Sequence, residues 1–457
     1  MGLWQGAGDA LGYRAYTSIL TATPTNPRWS VMNSAVGASP ETLSEPQIAY
    51  GREFWLAYFA HTALIVCNSS LFRYFDFVSF LGGDEYDLGM ITGFGMGGAV
   101  LARFAQGTLI DRVGPRVVWL GSLVLLIVAL LGHFWVTTID SPLIYGLRLC
   151  YMVGLAGAFG ASITSISLKA PKGRGTELIG VLGSSGFIGL GIGPVLGDYI
   201  FAENTPLETK VHLMFLVAMT AGGVAFVLTL LATWKERPRP AGHHPSLVKL
   251  IRQYHPGWML VMAFAMGMGV IFPQIFLRGY AKEVGIANIG SFFLVYAITA
   301  FTFRLMTRRL PEQIGVKKTA TIGILTMAAS LVMYMVVHNP WLLPIPAFLC
   351  GVAHALLFPA IIGGGSIAFP KKYRGTGTNL MLVLVDSGGL VGQPLIGAMI
   401  AGCRVLDWPA YPLTFISMGC FLSTIALLNQ RFAKPIIAQE DELHEVEERS
   451  LCANENL

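Results

Sequence analysis

From Phe54 onward, the chain alternates between long apolar runs and short segments rich in polar and charged residues. A helix needs about 20 mostly apolar residues to cross the hydrocarbon core of a membrane, and each of these runs is long enough to do so. We therefore predict twelve membrane-spanning helices. They cover residues 53–81, 87–110, 117–138, 142–167, 177–202, 211–234, 257–281, 288–309, 317–338, 341–368, 376–402 and 409–432.

Three polar segments frame the predicted spans. Residues 1–52 lack the basic start, apolar run and cleavage site of a signal peptide, which favours an N-terminal cytoplasmic tail. A basic connector, 235–256, separates a first six-helix bundle at 53–234 from a second at 257–432. The chain closes with an acidic tail at 433–457, which we interpret as a solvated cytoplasmic end.

Composition excludes several protein classes. Hydrophobic residues make up 54% of the 457 residues, charged residues 12%, and the mean hydropathy is +0.60. A soluble fold of this size could not bury so much apolar surface, which predicts an all-α polytopic membrane protein. The net charge of +5, without a basic stripe interleaved with aromatic residues, argues against nucleic-acid binding. The six cysteines show no paired spacing and no metal-ligand motif, so we expect neither a disulfide framework nor a metal site.

Lysine and arginine are divided unevenly between the two alternating sets of loops. One set holds most of them, including Arg112 and Lys317, whereas the other holds only Lys210, Lys282 and Arg404. Loops rich in lysine and arginine face the cytoplasm. This predicts that both termini and the connector are cytoplasmic, and the setting we expect is a bacterial inner membrane.

The two groups of six spans repeat each other at a spacing of 200 residues. Pro194 recurs as Pro394 and, one residue off that spacing, Arg103 matches Arg304. A colinear set of such matches over several helices and loops indicates a duplication. Two six-helix halves related by an axis along the membrane normal are a transporter architecture.

The most specific motif lies between the second and third spans. It is a glycine, an Asp-Arg pair, a second glycine and a basic residue, at Gly107, Asp111, Arg112, Gly114 and Arg116. This motif resembles the signature of the major facilitator superfamily, and the resemblance covers residues 53–432. It implies a latch that closes the cytoplasmic side, with Asp111 near the N-terminus of helix 11, where the helix dipole favours a negative charge. Simple anchoring of the loop at the membrane surface is the alternative.

Helices 5 and 11 carry matching glycines and prolines, which permit close helix approach and bend the helices. These residues are Gly189, Gly193, Pro194, Gly197, Pro394 and Gly397. The helix-5 set is similar to the signature of the family's antiporter branch, and the wider sequence resembles a bacterial sugar-efflux-like or drug-antiporter-like branch. We expect a hinge or a seal where the two halves meet, with plain helix packing as the alternative.

Ionisable groups inside membrane spans are costly, so each is a candidate for function. Arg73 and Asp76 lie in the outer half of helix 1, Arg148 lies at a similar depth on helix 4, and Asn68 lies near the midplane. The resemblance implies that helices 1, 4, 7 and 10 surround a central cavity where these groups could converge. An aspartate beside an arginine is a usable proton switch, and an unpaired arginine would recognise an anionic or polar substrate. A local Arg73–Asp76 pair is the alternative.

Four further residues are candidates inside the spans. His354 on helix 10 suits proton coupling, unless it is a hydrogen-bonded structural residue, and Arg278 on helix 7 is a site candidate unless it only extends to the interface. Arg103 on helix 2 and Asp386 on helix 11 are expected to form an ion pair between the halves, because the resemblance places these helices face to face. The position that mirrors Asp386 is Gly186, so the mirrored pair lacks its acid.

These observations predict a secondary transporter that moves a small organic molecule by alternating access, with proton coupling and a lean toward export. Its partners would be the lipid bilayer and the small-molecule substrate, it would act as a monomer, and it would need no cofactor beyond a proton gradient. A proton-coupled uptake symporter and a transport-inactive sensor or assembly protein on the same scaffold remain open. An enzyme is disfavoured because no nucleophile–base pair or metal-ligand set occurs, and no catalytic residue is predicted.

Overall fold

The computed structural model describes residues 50–170, 174–202, 204–235, 252–307, 309–370 and 373–433. Nearly all of the predicted N-terminal tail, most of the connector and all but the first residue of the acidic tail lie outside the described residues. The regular secondary structure of the described part is all helical, with no strand.

The described helices follow the predicted spans closely, with ends that differ by only a few residues. They are α1 Arg52–Phe80, α2 Glu85–Val113, α3 Pro115–Trp135, α4 Leu143–Lys169, α5 Gly175–Ala202, α6 Leu207–Ala232, α7 Met259–Glu283, α8 Gly290–Met306, α9 Val316–Val336, α10 Pro340–Ser366, α11 Arg374–Val405 and α12 Ala410–Phe432. This confirms the all-α polytopic fold with two six-helix bundles.

Two of the twelve helices are irregular as membrane spans. Ten of the described helices are long and apolar enough to cross a membrane, and α7 becomes the eleventh if its two segments, bent by 48° at Phe276, count as one span. The twelfth, α8, has 17 residues and is about 26 Å long, slightly shorter than the hydrocarbon core. A five-residue helix, Leu310–Ile314, continues the chain beyond α8 to the next loop.

The sequence repeat is reproduced in the backbone of the loops after α2 and α8. Gly114 has φ 84° and ψ 157°, and Gly315 has φ 88° and ψ 148°. Side chains other than glycine rarely adopt this region, which explains why both copies of the loop keep a glycine there. Arg116 then donates to the Trp234 carbonyl at 3.3 Å, after the end of α6, and Lys317 donates to the Ala433 carbonyl at 2.7 Å, after the end of α12.

We call the end of the bundle that carries Arg116, Lys169 and Lys317 the basic end, and the other the opposite end. α1 begins at the basic end, and the helices then alternate in direction. The two halves meet mainly through α2 against α11 and α5 against α8. This confirms the expectation that α2 and α11 face each other.

Glycines set how closely α2 and α11 approach. A side chain at Gly93 would collide with the ring of Pro394, and one at Gly89 would collide with the backbone of Gln393 and Gly397. Bare glycine faces are the usual device for close helix contact in lipid, where packing rather than water exclusion drives association.

Three helices depart from regular geometry within their length. In α1, residues Leu71–Arg73 form a 3₁₀ turn, and α7 bends at Phe276, three residues after Pro273. In α10, Phe358–Gly363 form a π-helix that contains Pro359. Such irregular turns inside long helices often mark functional positions.

Candidate functional site: charge clusters along the helix interfaces

Four charged residues from both halves form what we call the opposite-end cluster: Arg73, Asp76, Asp198 and Arg278. Arg73 is 1% exposed, and its position is set by the 3₁₀ turn of α1. It donates to Asp198 on α5 through Nη2 at 2.6 Å and Nε at 3.2 Å, and to Asp76 at 3.3 Å. A further bond, of 2.8 Å, reaches the Ala287 carbonyl in the second half. The guanidinium of Arg73 is therefore almost fully satisfied.

Asp76 connects α1 of the first half with α7 of the second. Its carboxylate accepts from Arg278 Nε, at 3.1 Å to Oδ1 and 2.9 Å to Oδ2, in addition to the bond from Arg73. Arg278 follows the bend of α7 by two residues and also donates to the Ala287 carbonyl at 3.2 Å. The structure thus brings Arg73, Asp76 and Arg278 together, and the partner of Arg278 is a buried carboxylate.

Asp198 joins α5 to the start of α8. Besides Arg73, it accepts backbone N–H bonds from Ile289 at 3.1 Å and Gly290 at 2.5 Å. The first N–H groups of a helix have no partner within the helix, and a negative charge there is favoured by the helix dipole. A side chain of the first half therefore caps a helix of the second half.

A second link between the halves lies at the same end, between α2 and α11. Glu85, which is 2% exposed, forms a bidentate ion pair with Arg404 and accepts a hydrogen bond of 3.0 Å from the Tyr411 hydroxyl. Arg404 also contacts Glu283 at 3.2 Å. At the opposite end, therefore, the halves are held together through three pairs of helices: α1 with α7, α5 with α8, and α2 with α11.

Arg148 is buried apart from these clusters. It is 3% exposed, and its Nε and Nη1 atoms have no hydrogen-bond partner within the described part of the chain. Its guanidinium lies over the rings of Tyr74, at 4.6 Å, and Tyr151, at 5.0 Å. The Tyr151 hydroxyl donates to Asn68 at 3.1 Å, so two of the predicted site residues share one neighbour. Arg148 does not join Asp76 and Arg73 in one ion cluster.

His354 lies where α5, α8 and α10 meet. Its Nδ1 is 2.5 Å from the Tyr296 hydroxyl, and its ring contacts Phe187 of the first half, with ring centres 5.7 Å apart. Arg304 faces the same group of rings, with its guanidinium 5.8 Å from Phe187 and 5.1 Å from Phe358. We call Phe187, Tyr296, Arg304, His354 and Phe358 the α5–α8–α10 cluster.

Arg103 and Asp386 are in direct contact across the α2–α11 interface. The Arg103 carbonyl also accepts a hydrogen bond of 3.0 Å from the Asn379 side chain on α11. Arg103 Nη1 is buried without a partner among the residues described, and its guanidinium lies 6.0 Å from the Phe159 ring. The pair is formed while the opposite-end contacts are also formed.

The loop motif is only partly described. Gly114 supplies the turn and Arg116 bonds to its own half, as noted above, whereas Arg112 is exposed. The surroundings of Gly107 and the side chain of Asp111 are not among the described features. Whether Asp111 lies near the N-terminus of α11 therefore stays a prediction.

The predicted hinge residues divide between two kinds of contact. Gly189, Gly193 and Gly197 of α5 pack against Ile65, Ser69 and Arg73 of α1, within the first half, and Pro194 lies inside an unbroken α5. Pro394 and Gly397 of α11 instead pack against α2 across the two halves. The first copy of the motif, on α5, thus makes a contact within the first half. The second copy, on α11, makes a contact between the two halves.

Another face of α5 is open. A Cβ atom at Gly180, Gly183 or Gly186 would meet no atom within 4 Å. These glycines lie on the part of α5 nearer the basic end. Toward the opposite end, a Cβ atom built on Gly191 would lie 3.6 Å from the Cβ atom of Ala297 on α8, within van der Waals contact. The α5–α8 interface is therefore tight at one end and open toward the other.

Sequence reasoning missed Asp198, Glu85 and the role of Arg404. Asp198 directly follows the glycine-proline motif inside an apolar run, and an acid inside a span is by itself a signal for function. Glu85 and Arg404 were hidden because each lies near a helix end, where charged residues are common.

Comparison with known families agrees with this architecture. The sequence model of the Major Facilitator Superfamily matches residues 54–287, and that of the MFS_1 like family matches residues 203–416. The first match spans more than half of the chain. The protein belongs to the major facilitator superfamily. It is therefore a secondary transporter of a small molecule, embedded in a lipid bilayer, and not an enzyme.

Curated relatives within the superfamily are drug-resistance proteins from bacteria. The chain is 25% identical over 324 residues to the multidrug resistance protein MdtG of Escherichia fergusonii, covering 65% of this chain and 73% of the relative. It is 24% identical to the class H tetracycline resistance protein of Pasteurella multocida, with 71% and 81% covered. It is 25% identical to a chloramphenicol resistance protein of Pseudomonas aeruginosa, with 70% and 77% covered. The chain thus resembles the drug-efflux branch of the superfamily.

Solved transporter structures share the fold at low sequence identity. The nucleoside transporter NupG superposes with a TM-score of 0.68 at 11% identity, covering 83% of this chain and 99% of that one. A D-xylose–proton symporter superposes with a TM-score of 0.68 at 15% identity, covering 85% and 98%. At this identity the likeness establishes the fold alone.

Proposed function

We propose that the protein couples proton movement to the export of a small organic solute, as a monomer in a bacterial inner membrane. The basic end would face the cytoplasm, together with both termini and the connector, because loops rich in lysine and arginine are retained on that side. Its resemblance to multidrug, tetracycline and chloramphenicol resistance proteins supports the export direction. No cofactor other than the proton gradient is needed.

One observation carries the coupling proposal: Asp76 is a buried carboxylate held by one arginine from each half. The two halves must separate at the opposite end when that end opens, so Arg278 must leave Asp76. When Arg278 withdraws, Asp76 would keep only the guanidinium of Arg73 as a charged partner. Opening of the opposite end would therefore expose a proton-binding group, and closing would favour release of the proton.

The other candidates take supporting roles in this scheme. Arg148, with Asn68 nearby, would contact a polar or anionic part of the solute, and His354 is the next proton-carrying candidate after Asp76. The Arg103–Asp386 pair and the Arg112–Arg116 loop would stabilise closure toward the basic end. The glycine-proline positions of α5 and α11 would let these helices rock against their neighbours.

Flux in proteoliposomes tests the coupling. Solutes would first be identified by a thermal-shift screen that includes tetracycline and chloramphenicol. We expect Asp76→Asn to abolish flux driven by a pH gradient while leaving solute exchange at equilibrium largely intact. Asp140→Asn is the matched control, because Asp140 is an exposed aspartate of the loop between α3 and α4, at the same end.

Three outcomes of this experiment would change the proposal. Normal gradient-driven flux in Asp76→Asn would eliminate Asp76 as the coupling group and direct attention to His354. Solute accumulation driven in the same direction as protons, in vesicles of known orientation, would identify an uptake symporter. Solute binding without flux in the unaltered protein would identify a transport-inactive sensor.

A further inference from the structure

Within the described helices, the buried acidic side chains have basic partners, but some arginines have no acidic partner. On the helices that join the two halves, four carboxylates have side chains that are at most 13% exposed, and each of the four has an arginine partner. The pairs are Asp76 with Arg73 and Arg278, Asp198 with Arg73, Asp386 with Arg103, and Glu85 with Arg404. Arg148 on α4 and Arg304 on α8 have no carboxylate partner in the described part of the chain.

Arg304 is the repeat counterpart of Arg103, and the comparison shows what it lacks. Arg103 on α2 contacts Asp386 on α11. The duplicated geometry places Arg304 on α8 against α5, where the residue that corresponds to Asp386 is Gly186. The guanidinium of Arg304 reaches the residue that follows that position in the chain, since it lies 5.8 Å from the ring of Phe187.

The space beside Gly186 is open. A Cβ atom built on Gly186 meets nothing within 4 Å, and neither does one on Gly183, one helical turn closer to the basic end, or one on Gly363 in the π-helix of α10. Arg304 itself is only partly buried. The guanidinium therefore borders space that a small molecule could enter between the two halves.

The remaining surroundings of Arg304 are apolar or uncharged. Phe187 and Phe358 offer ring faces, and no described hydrogen bond uses any of the donors of Arg304. His354 has one nitrogen engaged with Tyr296, and its Nε2 has no partner in the described chain. A planar guanidinium with free donors matches a carboxylate or another oxyanion, which can accept two parallel hydrogen bonds.

We propose that the transported solute is an organic anion, and that its anionic group binds Arg304 in the space beside Gly186. The solute would supply the counter-ion that the protein itself supplies to Arg103 through Asp386. Its apolar body would lie against Phe187 and Phe358. This proposal rests on the transport function proposed above and specifies the class of its substrate.

The charge inventory also argues against a cationic solute. A cation entering a low-dielectric cavity needs an acid that is free to pair with it, and the described acids at the interfaces are already paired with arginines. A second cation placed near Arg304 would add repulsion. An anion would instead relieve an uncompensated charge.

Three naphthalene probes of nearly equal shape test the charge preference. They are 1-naphthoate, the neutral 1-naphthamide, and the cationic 1-naphthylmethylammonium. Binding to the full-length protein in detergent is measured by equilibrium dialysis and by the shift of the unfolding temperature. We expect naphthoate to bind about tenfold or more tightly than the other two, as for an anion that gains a buried charge partner.

Substitutions at both positions then locate the site. Arg304→Gln should weaken naphthoate binding by about tenfold or more and leave naphthamide binding unchanged, whereas Arg304→Lys should retain part of the preference. Gly186→Asp should have the same effect as Arg304→Gln, because it restores the acid of the mirrored pair, and Gly186→Asn should not. Arg309→Gln, at an exposed arginine five residues away, is the charge-matched control.

The outcomes separate this inference from the proposed function. Equal binding of the three probes, or full naphthoate binding by Arg304→Gln, would overturn the anion site even if other solutes are transported. Arg304-dependent naphthoate binding without flux would support the anion site and overturn the transport proposal instead. If Gly186→Asp fails to fold, the difference in naphthoate binding between Arg304→Gln and Arg304→Lys still tests whether Arg304 binds the anion.

Discussion

The two interfaces between the halves arose from the same repeat, yet they differ along their length. The α2–α11 interface is closed throughout: Glu85 binds Arg404, Gly89 and Gly93 allow backbone contact, and Arg103 binds Asp386. The α5–α8 interface is closed only at the opposite end, through Asp198 and the start of α8. Toward the basic end, its glycines border open space, and Arg304 has no acidic partner among the residues that the structure describes.

This difference shows how two interfaces that arose by duplication can take different roles, one in holding the halves together and the other in accommodating a solute. An interface with an ion pair in its basic-end half and with interlocked glycines keeps the two halves in register. An interface with open glycines and an unpaired arginine leaves room and charge for a solute. The same backbone geometry accommodates both, because one residue, aspartate or glycine, decides whether the arginine opposite it is satisfied.

The largest expected difference is in stability, between replacing an arginine that has carboxylate partners and replacing one that has none. Arg73→Met removes a buried cation that serves both Asp76 and Asp198, and leaving a buried charge uncompensated typically costs about 3–5 kcal/mol. Arg304→Met removes a cation with no acid partner and should leave the stability unchanged or raise it. Thermal unfolding of both variants in detergent measures the contrast, and equal losses would show that Arg304 has a stabilising partner after all.

A second, smaller effect is expected at the ion pair between α2 and α11. Asp386→Asn leaves Arg103 without its counter-ion, which should loosen closure toward the basic end and slow turnover by about tenfold if the site is dry. The exchanged pair, Arg103→Asp with Asp386→Arg, should recover part of the activity, as measured by flux in proteoliposomes. A double variant no better than either single one would mean that the two residues act independently.

The smallest expected difference in stability comes from adding a single methyl group to a glycine at the closed interface or at the open one. Gly93→Ala should cost about 1–3 kcal/mol, because the new methyl group meets the Pro394 ring. Gly183→Ala has free space and should be neutral or stabilising by up to about 1 kcal/mol through the higher helix propensity of alanine. Urea or thermal unfolding compares the two, and a similar cost at both sites would contradict the open face on α5.

The sequence predicted the spans and the duplication better than it predicted the partners of the charged residues. Gly114 and Gly315 were recognisable as repeat partners, and the structure gives them nearly the same backbone angles. The contact between Arg103 and Asp386 could be anticipated because the family resemblance placed their helices face to face. The part played by Asp198 could not, since its partners lie 125 residues before it, at Arg73, and 92 residues after it, at Gly290.

Hydropathy along the chain decided where each helix crosses the membrane, because the cost of placing a residue in lipid depends on that residue and its immediate neighbours. The positions of glycine and proline likewise fixed the turns and the surfaces for close packing. Only the tertiary structure decided which charged groups meet. That depends on the rotation of each helix about its own axis and on the depth at which two helices touch, both of which are set by packing between segments far apart in sequence. Arg73 and Arg304 are both arginines inside apolar spans. Packing between distant segments brought two carboxylates to Arg73, whereas Arg304 has none among the described residues and the position that mirrors Asp386 holds Gly186.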